Sequence, residues 1–425
     1  MTALLIHNAR LATPITAEGE TPDWTVREIF PAALYCENRR IERIGEEEAV
    51  LQDLPACDEL DAEGRLLTPG LVDCHTHPVF FNHRAHEFVQ RTQGATYQQI
   101  AAAGGGIRYS VRDLRAATEE DLLQRVLHRL DVFLEHGTTT IEAKSGYGLS
   151  LEHELLSLRV LQRAAAKHPV EIVPTFLGAH EVPDEYRSQR GQYVDLIIHE
   201  MMPAVAAQAL ARFADVFCES HVFNEVEARQ VLQAAVAHGL RPKIHADQLT
   251  ESGGARVAIA TGAVSADHLE HTPAELHEPL RQAGVVPVLL PGADFFLGAK
   301  KYADARAMIA AGLPVAISTD FNPGSCMTES LPMIMTLACL ALRLTPAEAL
   351  VAATLHAAHA IAQGNQIGSL EVGKQADAVL WEADSINEIP YHFGVNLACT
   401  VVKKGRVVFT RHASHRTLYE TFLHS

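Results

Sequence analysis

The sequence predicts an α/β fold: a (β/α)8 barrel of the TIM type beside a small β-sandwich domain built from both ends of the chain. Helix-like stretches that end at a glycine are followed, several times over, by short apolar runs, a pattern typical of βα units with a parallel sheet. Eight such runs are present. This number favours a closed barrel over the alternative of an open α/β sheet with a miscounted strand.

The repeating unit is clearest after residue 117. Thr118 and Asp121 resemble a capping box, and leucine and valine residues follow at helical spacing. Gly137 predicts a left-handed end to this helix, and Thr138–Ala143 reads as a strand. Asn224 opens a second helix of the same kind. The eight predicted barrel strands are Leu71–His75, Thr139–Ala143, Glu171–Phe176, Asp215–Glu219, Pro242–His245, Ala263–Ala266, Val285–Leu290 and Val315–Thr319.

The two ends of the chain differ from its middle. They contain short alternating runs with turn-like breaks and no long helix. Lys404-Gly405 lies between two of these runs and predicts a hairpin turn. We therefore expect a small composite β domain over residues 1–66 and 376–425, and the barrel over residues 67–375.

The charge balance restricts the partners. Against 35 basic residues the chain has 52 acidic ones, which gives a net charge of −17. This balance argues against nucleic acid and anionic membrane surfaces as main partners. A small anionic substrate stays compatible with it, because one local arginine can reverse the field of a pocket. The 23 histidines are an excess that indicates metal or proton chemistry.

The cysteines and the first residues predict a cytoplasmic protein. Seven cysteines are scattered along the chain without a Cys-x-x-Cys pair, as expected in a reducing compartment. Met1–Arg10 has no long apolar core behind a basic start, so no signal peptide is predicted. The longest apolar stretch, Leu331–Leu342, is too short to span a bilayer.

Polar residues stand at the carboxyl ends of the predicted strands, where barrels of this kind carry their chemistry. They are His75, His77, Lys144, His180, Glu219, His245, His268 and Asp320. His75 and His77 are two residues apart and point to one face, so both imidazoles can bind one ion. With His245 and Asp320 they form a ligand set suited to zinc or iron. Such a metal lowers the pKa of a bound water and makes a hydroxide nucleophile available.

Several longer segments extend this pattern from about residue 67 to residue 396. They are Pro69–His77, Gln93–Tyr97, Ala103–Ile107, Glu142–Leu149, Phe176–His180, Lys243–Asp247, Thr319–Ser330 and Pro390–Asn396. Each alone is weakly specific, but together they are very specific. They resemble the amidohydrolase superfamily, and most closely its imidazolonepropionase family.

The resemblance implies hydrolysis of the cyclic amide of 4-imidazolone-5-propanoate, a small anionic substrate, to N-formimidoyl-L-glutamate in histidine degradation. It implies a homodimer with one zinc or iron ion per subunit, and it leaves the choice of metal open. The metal ligands that it implies are His75, His77, His245 and Asp320. The substrate contacts that it implies are Arg84, Tyr147, His180, Gln248, Asn322, Gly324 and Ser325.

The residue types fit these roles. Arg84 can donate two parallel hydrogen bonds to the propanoate carboxylate. His268 and Asp320 are our candidates for proton transfer, and the sequence does not decide between them. Some amidohydrolases have a glutamate that acts as acid or base at the position of Gln248, but a neutral amide cannot do this. We therefore expect Gln248 to orient the substrate.

Other interpretations stay open from the sequence. Lys144 could be a carboxylated lysine that bridges two metals, but its place at the end of the second strand favours a structural role. Tyr147 could simply cap the barrel. The protein could be a deaminase or lactamase of the same superfamily that acts on another ring. It could also be an inactive relative with a scaffold role, although such relatives typically lose metal ligands.

Overall fold

The computed structural model describes residues 3–16 and 24–411. The strands, numbered along the chain, are β1 (Ala3–Pro14), β2 (Val26–Glu37), β3 (Arg40–Glu46), β4 (Asp58–Asp61), β5 (Leu66–Pro69), β6 (Leu71–Thr76), β7 (Thr138–Lys144), β8 (Glu171–Ala179), β9 (Phe213–Cys218), β10 (Arg241–Ala246), β11 (Ser265–His268), β12 (Val286–Leu289), β13 (Ala316–Ile317), β14 (Ala378–Trp381), β15 (Ala398–Lys403) and β16 (Arg406–Thr410).

Helices connect these strands. The α-helices are α1 (Glu47–Leu51), α2 (Ala85–Thr92), α3 (Tyr97–Ala102), α4 (Ile107–Ala116), α5 (Glu119–Glu135), α6 (Leu151–Ala165), α7 (Arg190–Leu196), α8 (Met202–Ala207), α9 (Glu225–Ala237), α10 (Gly254–Thr261), α11 (His277–Gln282), α12 (Pro291–Leu297), α13 (Ala305–Ala310), α14 (Leu331–Ala341), α15 (Pro346–Ala352), α16 (Leu355–Ala360) and α17 (Glu388–Tyr391). Short 3₁₀ turns span Asp184–Tyr186 and Ala274–Leu276, and a π-helical turn spans Ile197–Met201.

Strands β6 to β13 form an eight-stranded parallel barrel in sequence order. A parallel bridge between Thr76 and Phe321 joins the first strand to the segment after the last one. Two backbone hydrogen bonds flank this bridge: Asp320 N–H donates to His75 O at 3.1 Å, and His77 N–H donates to Phe321 O at 2.8 Å. The barrel prediction is confirmed, and each predicted strand overlaps an observed one.

The helix boundaries follow the predicted signals. The Thr118 hydroxyl accepts a hydrogen bond from Asp121 N–H at the start of α5, and Asn224 forms a full capping box with Glu227 at the start of α9. Gly137 has φ +88° just before β7. That backbone conformation is unfavourable for other residues, so glycine ends the helix and lets the strand begin one residue later.

The other sheet combines both ends of the chain, as predicted. Its order is β16-β15-β14-β5-β1-β2-β3, and β4 also pairs with β1. Residues from β1, β2, β3, β5, β14 and β15 share one apolar core. Lys404 and Gly405 form the predicted hairpin turn with φ +52° and +71°, between the paired residues Lys403 and Arg406. The domain limits at residues 66/67 and 375/376 stay a prediction.

Trp381 connects the terminal sheet to the barrel. It lies on β14, is fully buried, and donates a hydrogen bond from Nε1 to Thr68 Oγ1 at 2.8 Å. Its ring also packs 3.2 Å from the position that a Cβ would take on Gly137, next to barrel strand β7. The indole therefore fills the space between the two sheets. Among the residues described, no helix is long and apolar enough to cross a membrane.

We expect Trp381→Ala to lower the free energy of unfolding by about 3–5 kcal/mol, because it opens a cavity between the two sheets and removes the N–H that donates to Thr68 Oγ1. The measurement is the urea midpoint followed by circular dichroism. The control is Tyr391→Ala, since Tyr391 is 85% exposed and its loss should leave the midpoint nearly unchanged. Equal midpoints for the two variants would contradict this role of Trp381.

Candidate active site

The four predicted metal ligands meet at the carboxyl end of the barrel. His75 lies on β6 and His77 directly follows it, His245 lies on β10, and Asp320 follows β13. All four are buried. His77 Nε2 lies 3.2 Å from His75 Nε2 and 3.4 Å from His245 Nε2. Asp320 Oδ1 lies 3.4 Å from the Nε2 atoms of both His75 and His77.

A carboxylate next to Nδ1 sets the tautomer of two of the candidate ligands, His75 and His245. His75 Nδ1 donates to Asp267 Oδ2 at 2.6 Å, and His245 Nδ1 lies 3.0 Å from Asp215 Oδ2. With the proton on Nδ1, each Nε2 carries a lone pair directed at the same point. Lone pairs and a carboxylate oxygen that converge in this way repel each other unless a cation lies between them.

The spacing of these atoms fits a metal ion. Ligand atoms about 2.0–2.1 Å from zinc at tetrahedral angles lie roughly 3.3 Å apart, close to the four distances between ligand atoms given above. His75, His77 and Asp320 offer ligand atoms within 4.8 Å of one another, and so do His75, His245 and His268. The donor set of imidazole nitrogens and one carboxylate suits zinc or iron.

The protonation states also favour a cation. Burial lowers the pKa of His77 and brings the pKa of His245 to about 3, so both imidazoles are neutral near pH 7. Burial would raise the pKa of Asp320, but hydrogen bonds with His75 and His77 outweigh it and hold this pKa well below its usual value. The site therefore presents neutral imidazoles at His77 and His245 and an ionised carboxylate at Asp320.

A pocket opens above this ligand set. Its lining includes most of the residues that the sequence singled out: His77, Arg84, Tyr147, His180, His245, Gln248, His268, Asp320, Asn322 and Ser325. Apolar side chains that the sequence did not single out complete the wall: Ile107, Phe217, Leu249 and Leu297. Gly324 adjoins the pocket through its contact with Arg84.

Arg84 places a buried guanidinium in the wall of this pocket. It precedes α2 and is 3% exposed. Its Nε lies 3.4 Å from Glu87 Oε2, but neither Nε nor Nη1 has a hydrogen-bond partner among the described residues. A Cβ on Gly324 would lie 1.3 Å from Arg84 Nη2, so the guanidinium packs against bare backbone. A buried guanidinium with unused donors suits a carboxylate ligand.

Tyr147 and His180 form the wall beside His77. The His180 ring stacks on His77 with 5.1 Å between centroids, and Tyr147 lies 5.3 Å from His180. His180 Nδ1 donates to Gly146 O at 2.9 Å, so its Nε2 is left as an acceptor. Burial holds the pKa of His180 well below its usual value. Glu154, which the sequence analysis missed, accepts backbone N–H groups from the turn that carries Tyr147.

The turn from Asn322 to Ser325 is organised by its own side chains. Asn322 Oδ1 accepts from the backbone N–H groups of Gly324 and Ser325 at 2.8 and 2.7 Å, and Asn322 Nδ2 donates to Asp320 O at 2.7 Å. Ser325 Oγ donates to Asp320 Oδ2 at 3.2 Å. These contacts hold Asp320 and place Gly324 against Arg84. The substrate contacts expected of Asn322, Gly324 and Ser325 stay a prediction.

His268 lies at the end of β11 and lines the same pocket. It is buried, and its Nδ1 is 3.5 Å from Glu270 Oε1. Burial would lower the pKa of His268, but the charges of Glu270, Asp320 and Asp294 outweigh it and raise this pKa to about 9. Gln248 lines the same pocket two residues after β10.

The remaining strand-end residues lie outside the pocket lining. Lys144 is fully buried between Glu142 and Asp215. Glu219 accepts hydrogen bonds from Leu249 N–H and Thr250 and fixes the loop after β10. The sequence analysis missed Asp267, and it counted Asp215 only as the start of a strand. The sequence feature that could have revealed both is an acidic residue inside an apolar strand, because a buried carboxylate requires a polar or charged partner.

Comparisons with known proteins agree with this geometry. The chain matches the Amidohydrolase family over residues 66–408. It is 46% identical to an imidazolonepropionase of Geobacillus kaustophilus (96% of this chain, 98% of that protein). It is 49% identical to one of Solibacter usitatus (96% of this chain, 99% of that protein) and 50% identical to one of Symbiobacterium thermophilum (88% of this chain, 89% of that protein).

Solved structures share the fold at low identity. A 5-methylcytosine deaminase from Klebsiella pneumoniae, liganded with phosphonocytosine, superposes with a TM-score of 0.73 at 17% identity, over 96% of this chain and 98% of that one. An N-isopropylammelide isopropylaminohydrolase from Burkholderia multivorans superposes with a TM-score of 0.69 at 21% identity, over 96% of this chain and 99% of that one. From sequence identity over nearly the whole length, the chain belongs to the amidohydrolase family and, within it, to the imidazolonepropionases.

Proposed function

We propose that this protein hydrolyses the cyclic amide of 4-imidazolone-5-propanoate to N-formimidoyl-L-glutamate in histidine degradation. The relatives of 46–50% identity carry the corresponding name. The structural observation that supports the proposal most directly is Arg84, a buried guanidinium with unused donors in the same pocket as a metal-type ligand set. A substrate with a carboxylate on one side and a hydrolysable ring on the other satisfies both features.

One zinc or iron ion per subunit would be held by His75, His77, His245 and Asp320. When bound, such an ion lowers the pKa of a coordinated water toward neutrality and polarises a carbonyl oxygen. The protein aims two of the nitrogen ligands, because Asp267 accepts the Nδ1 proton of His75 and Asp215 Oδ2 lies 3.0 Å from Nδ1 of His245.

Arg84 binds the propanoate in this proposal. Pairing with a carboxylate would satisfy donors that have no other partner among the described residues, and the low dielectric of the pocket strengthens that pair. Gly324 leaves room for the guanidinium, and Asn322 holds the turn that carries Gly324. One buried arginine thus gives a protein of net charge −17 a local site for an anion.

The other pocket residues would orient the ring and move the proton. Hydrolysis adds the oxygen of water to the ring carbonyl carbon, breaks the ring C–N bond, and transfers one proton from water to the departing nitrogen. Asp320 and His268 face the pocket and are the groups that would accept and return this proton. His180 offers its Nε2 as an acceptor, and Tyr147 and the Gln248 amide can bind the ring.

The homodimer and the cytoplasmic location stay predictions from the sequence. Light scattering coupled to gel filtration reports the first, and fractionation of the source cells reports the second.

The function is tested with purified protein and 4-imidazolone-5-propanoate. We expect loss of the ring absorbance, loss of this activity after chelation, and recovery when Zn²⁺ or Fe²⁺ is returned, because the ligand set needs a cation. Elemental analysis of the same sample identifies the metal. Bound metal without ring opening would favour a deaminase or lactamase for another ring. No stoichiometric metal, with His245→Ala unchanged from wild type, would favour the scaffold alternative.

We expect Arg84→Met to raise KM at least roughly 30-fold, because the loss of one partner of a buried charged pair costs about 2–5 kcal/mol. Bound metal should be unchanged, since Arg84 contacts no ligand of the set. The measurement is steady-state kinetics together with metal content. Arg256→Met is the control, because Arg256 pairs only with Glu251 at the surface among the described residues. Metal loss in Arg84→Met would mean that Arg84 is misassigned.

We expect Gly324→Ala to weaken substrate binding in the same direction, with metal content unchanged. The added methyl would occupy the place of Arg84 Nη2 and displace the guanidinium. Gly191→Ala is the matched control, because no atom lies within 4 Å of the position of its added Cβ. A Gly324→Ala enzyme with the KM of wild type would show that the position of Arg84 does not matter for substrate binding.

A further inference from the structure

We infer that Lys144 is a positioning residue for the metal ligands: it ties together Asp215 and Asp267, the two carboxylates that aim His245 and His75, so that metal affinity depends on a side chain that touches neither metal nor substrate. The inference rests on the metal site of the proposed function, but not on the identity of the substrate.

The contacts form one continuous chain. Lys144 Nζ lies 2.8 Å from Asp215 Oδ2 and 3.7 Å from Asp267 Oδ2. The same two oxygens face the imidazoles: Asp215 Oδ2 is 3.0 Å from His245 Nδ1, and Asp267 Oδ2 is 2.6 Å from His75 Nδ1. Each carboxylate oxygen is therefore held between the ammonium and one metal ligand.

The strand order explains why one lysine reaches both carboxylates. Lys144 ends β7, whereas Asp215 and Asp267 lie on β9 and β11, two and four strands further around the barrel. The three side chains meet inside the barrel, where all are at most 1% exposed. Side chains in one interior layer of such a barrel come from alternate strands. The lysine thus links strands that share no backbone hydrogen bonds.

The contacts of the Lys144 amino group argue against the alternative role of a carboxylated lysine that bridges two metals. Its amino group is 2.8 Å from Glu142 Oε1 as well, so it pairs with three carboxylates within 4 Å. Burial would lower the pKa of Lys144, but the charges of Asp215, Glu142 and Asp267 outweigh it and raise this pKa above its usual value. A charged ammonium is not a nucleophile toward carbon dioxide, and two of its three N–H donors are used in hydrogen bonds with Glu142 and Asp215.

Lys243 provides an internal comparison. It is fully buried in the same barrel, but its Nζ lies 3.9 Å from Asp267 Oδ2 and donates mainly to the backbone oxygens of Cys74 and Ala360. It has no contact with Asp215 among the described ion pairs. The two lysines therefore match in side chain and burial, and they differ in whether they contact both orienting carboxylates.

The test compares Lys144→Met with Lys243→Met in metal-loaded protein challenged with a chromophoric zinc chelator. Mutating a residue that hydrogen-bonds to a metal ligand typically lowers metal affinity by about 10–100-fold. We expect Lys144→Met to lower the Zn²⁺ affinity by about that factor, and Lys243→Met to lower it by much less. The absorption spectrum of Co²⁺-loaded Lys144→Met should also change, because loosened imidazoles alter the ligand geometry.

A third variant separates the positioning of the metal ligands by Lys144 from the effect of simply losing a buried charge. Lys144→Met/Glu142→Gln removes one buried charge of each sign, and it replaces Lys144→Met if that variant does not fold. We expect the double variant to keep the weakened Zn²⁺ binding. Wild-type affinity in either Lys144 variant, or an equal loss in Lys243→Met, would overturn the inference. Because Zn²⁺ binding is measured without substrate, failure to open the imidazolone ring would count against the proposed function alone.

Discussion

The site depends on the closure of the barrel. Asp320 and His75 are far apart in sequence, and they become neighbours because the segment after β13 pairs with the end of β6. The hydrogen bond from Asp320 N–H to His75 O puts the carboxylate beside the imidazoles of His75 and His77. An open sheet would leave these strands at opposite edges, and no set of four ligands could form.

A second constraint is the cost of the charges inside the barrel. Carboxylates and ammonium groups lose their hydration when buried, and only close pairing offsets that loss. Asp73, for example, accepts from Ser318 and from both the N–H and the hydroxyl of Thr319. Burial still raises the pKa of Asp73 to about 6. Burying these charges thus costs free energy, and the hydrogen bonds fix their positions, which a site that must hold ligand atoms a few ångströms apart requires.

Much of the fold was accessible from the sequence, because its signals are local. A cap such as Asn224 and a stop such as Gly137 act within a few residues, and strand-end histidines follow from strand counting. The partners of these residues were not accessible. Whether Asp267 faces His75, and which N–H groups the Asn322 side chain binds within its own turn, depends on side-chain directions set by packing between distant elements. The alternation of side chains along a strand tells which face of the sheet a residue lies on, but it does not tell which residue of another element it contacts.

Arg84 shows why such packing decides function. Arginines are common at surfaces, where water screens their charge and long side chains move freely. Here Gly324 lacks the Cβ that would exclude the guanidinium, and Asn322 fixes the backbone that carries Gly324. The side chain therefore loses its mobility and its water when the protein folds, before any ligand arrives. A carboxylate that enters finds donors already ordered, so more of the interaction energy goes into binding. Under the proposed function, the binding of an anion by an acidic protein thus depends on the absence of one methyl group as much as on the presence of one charge.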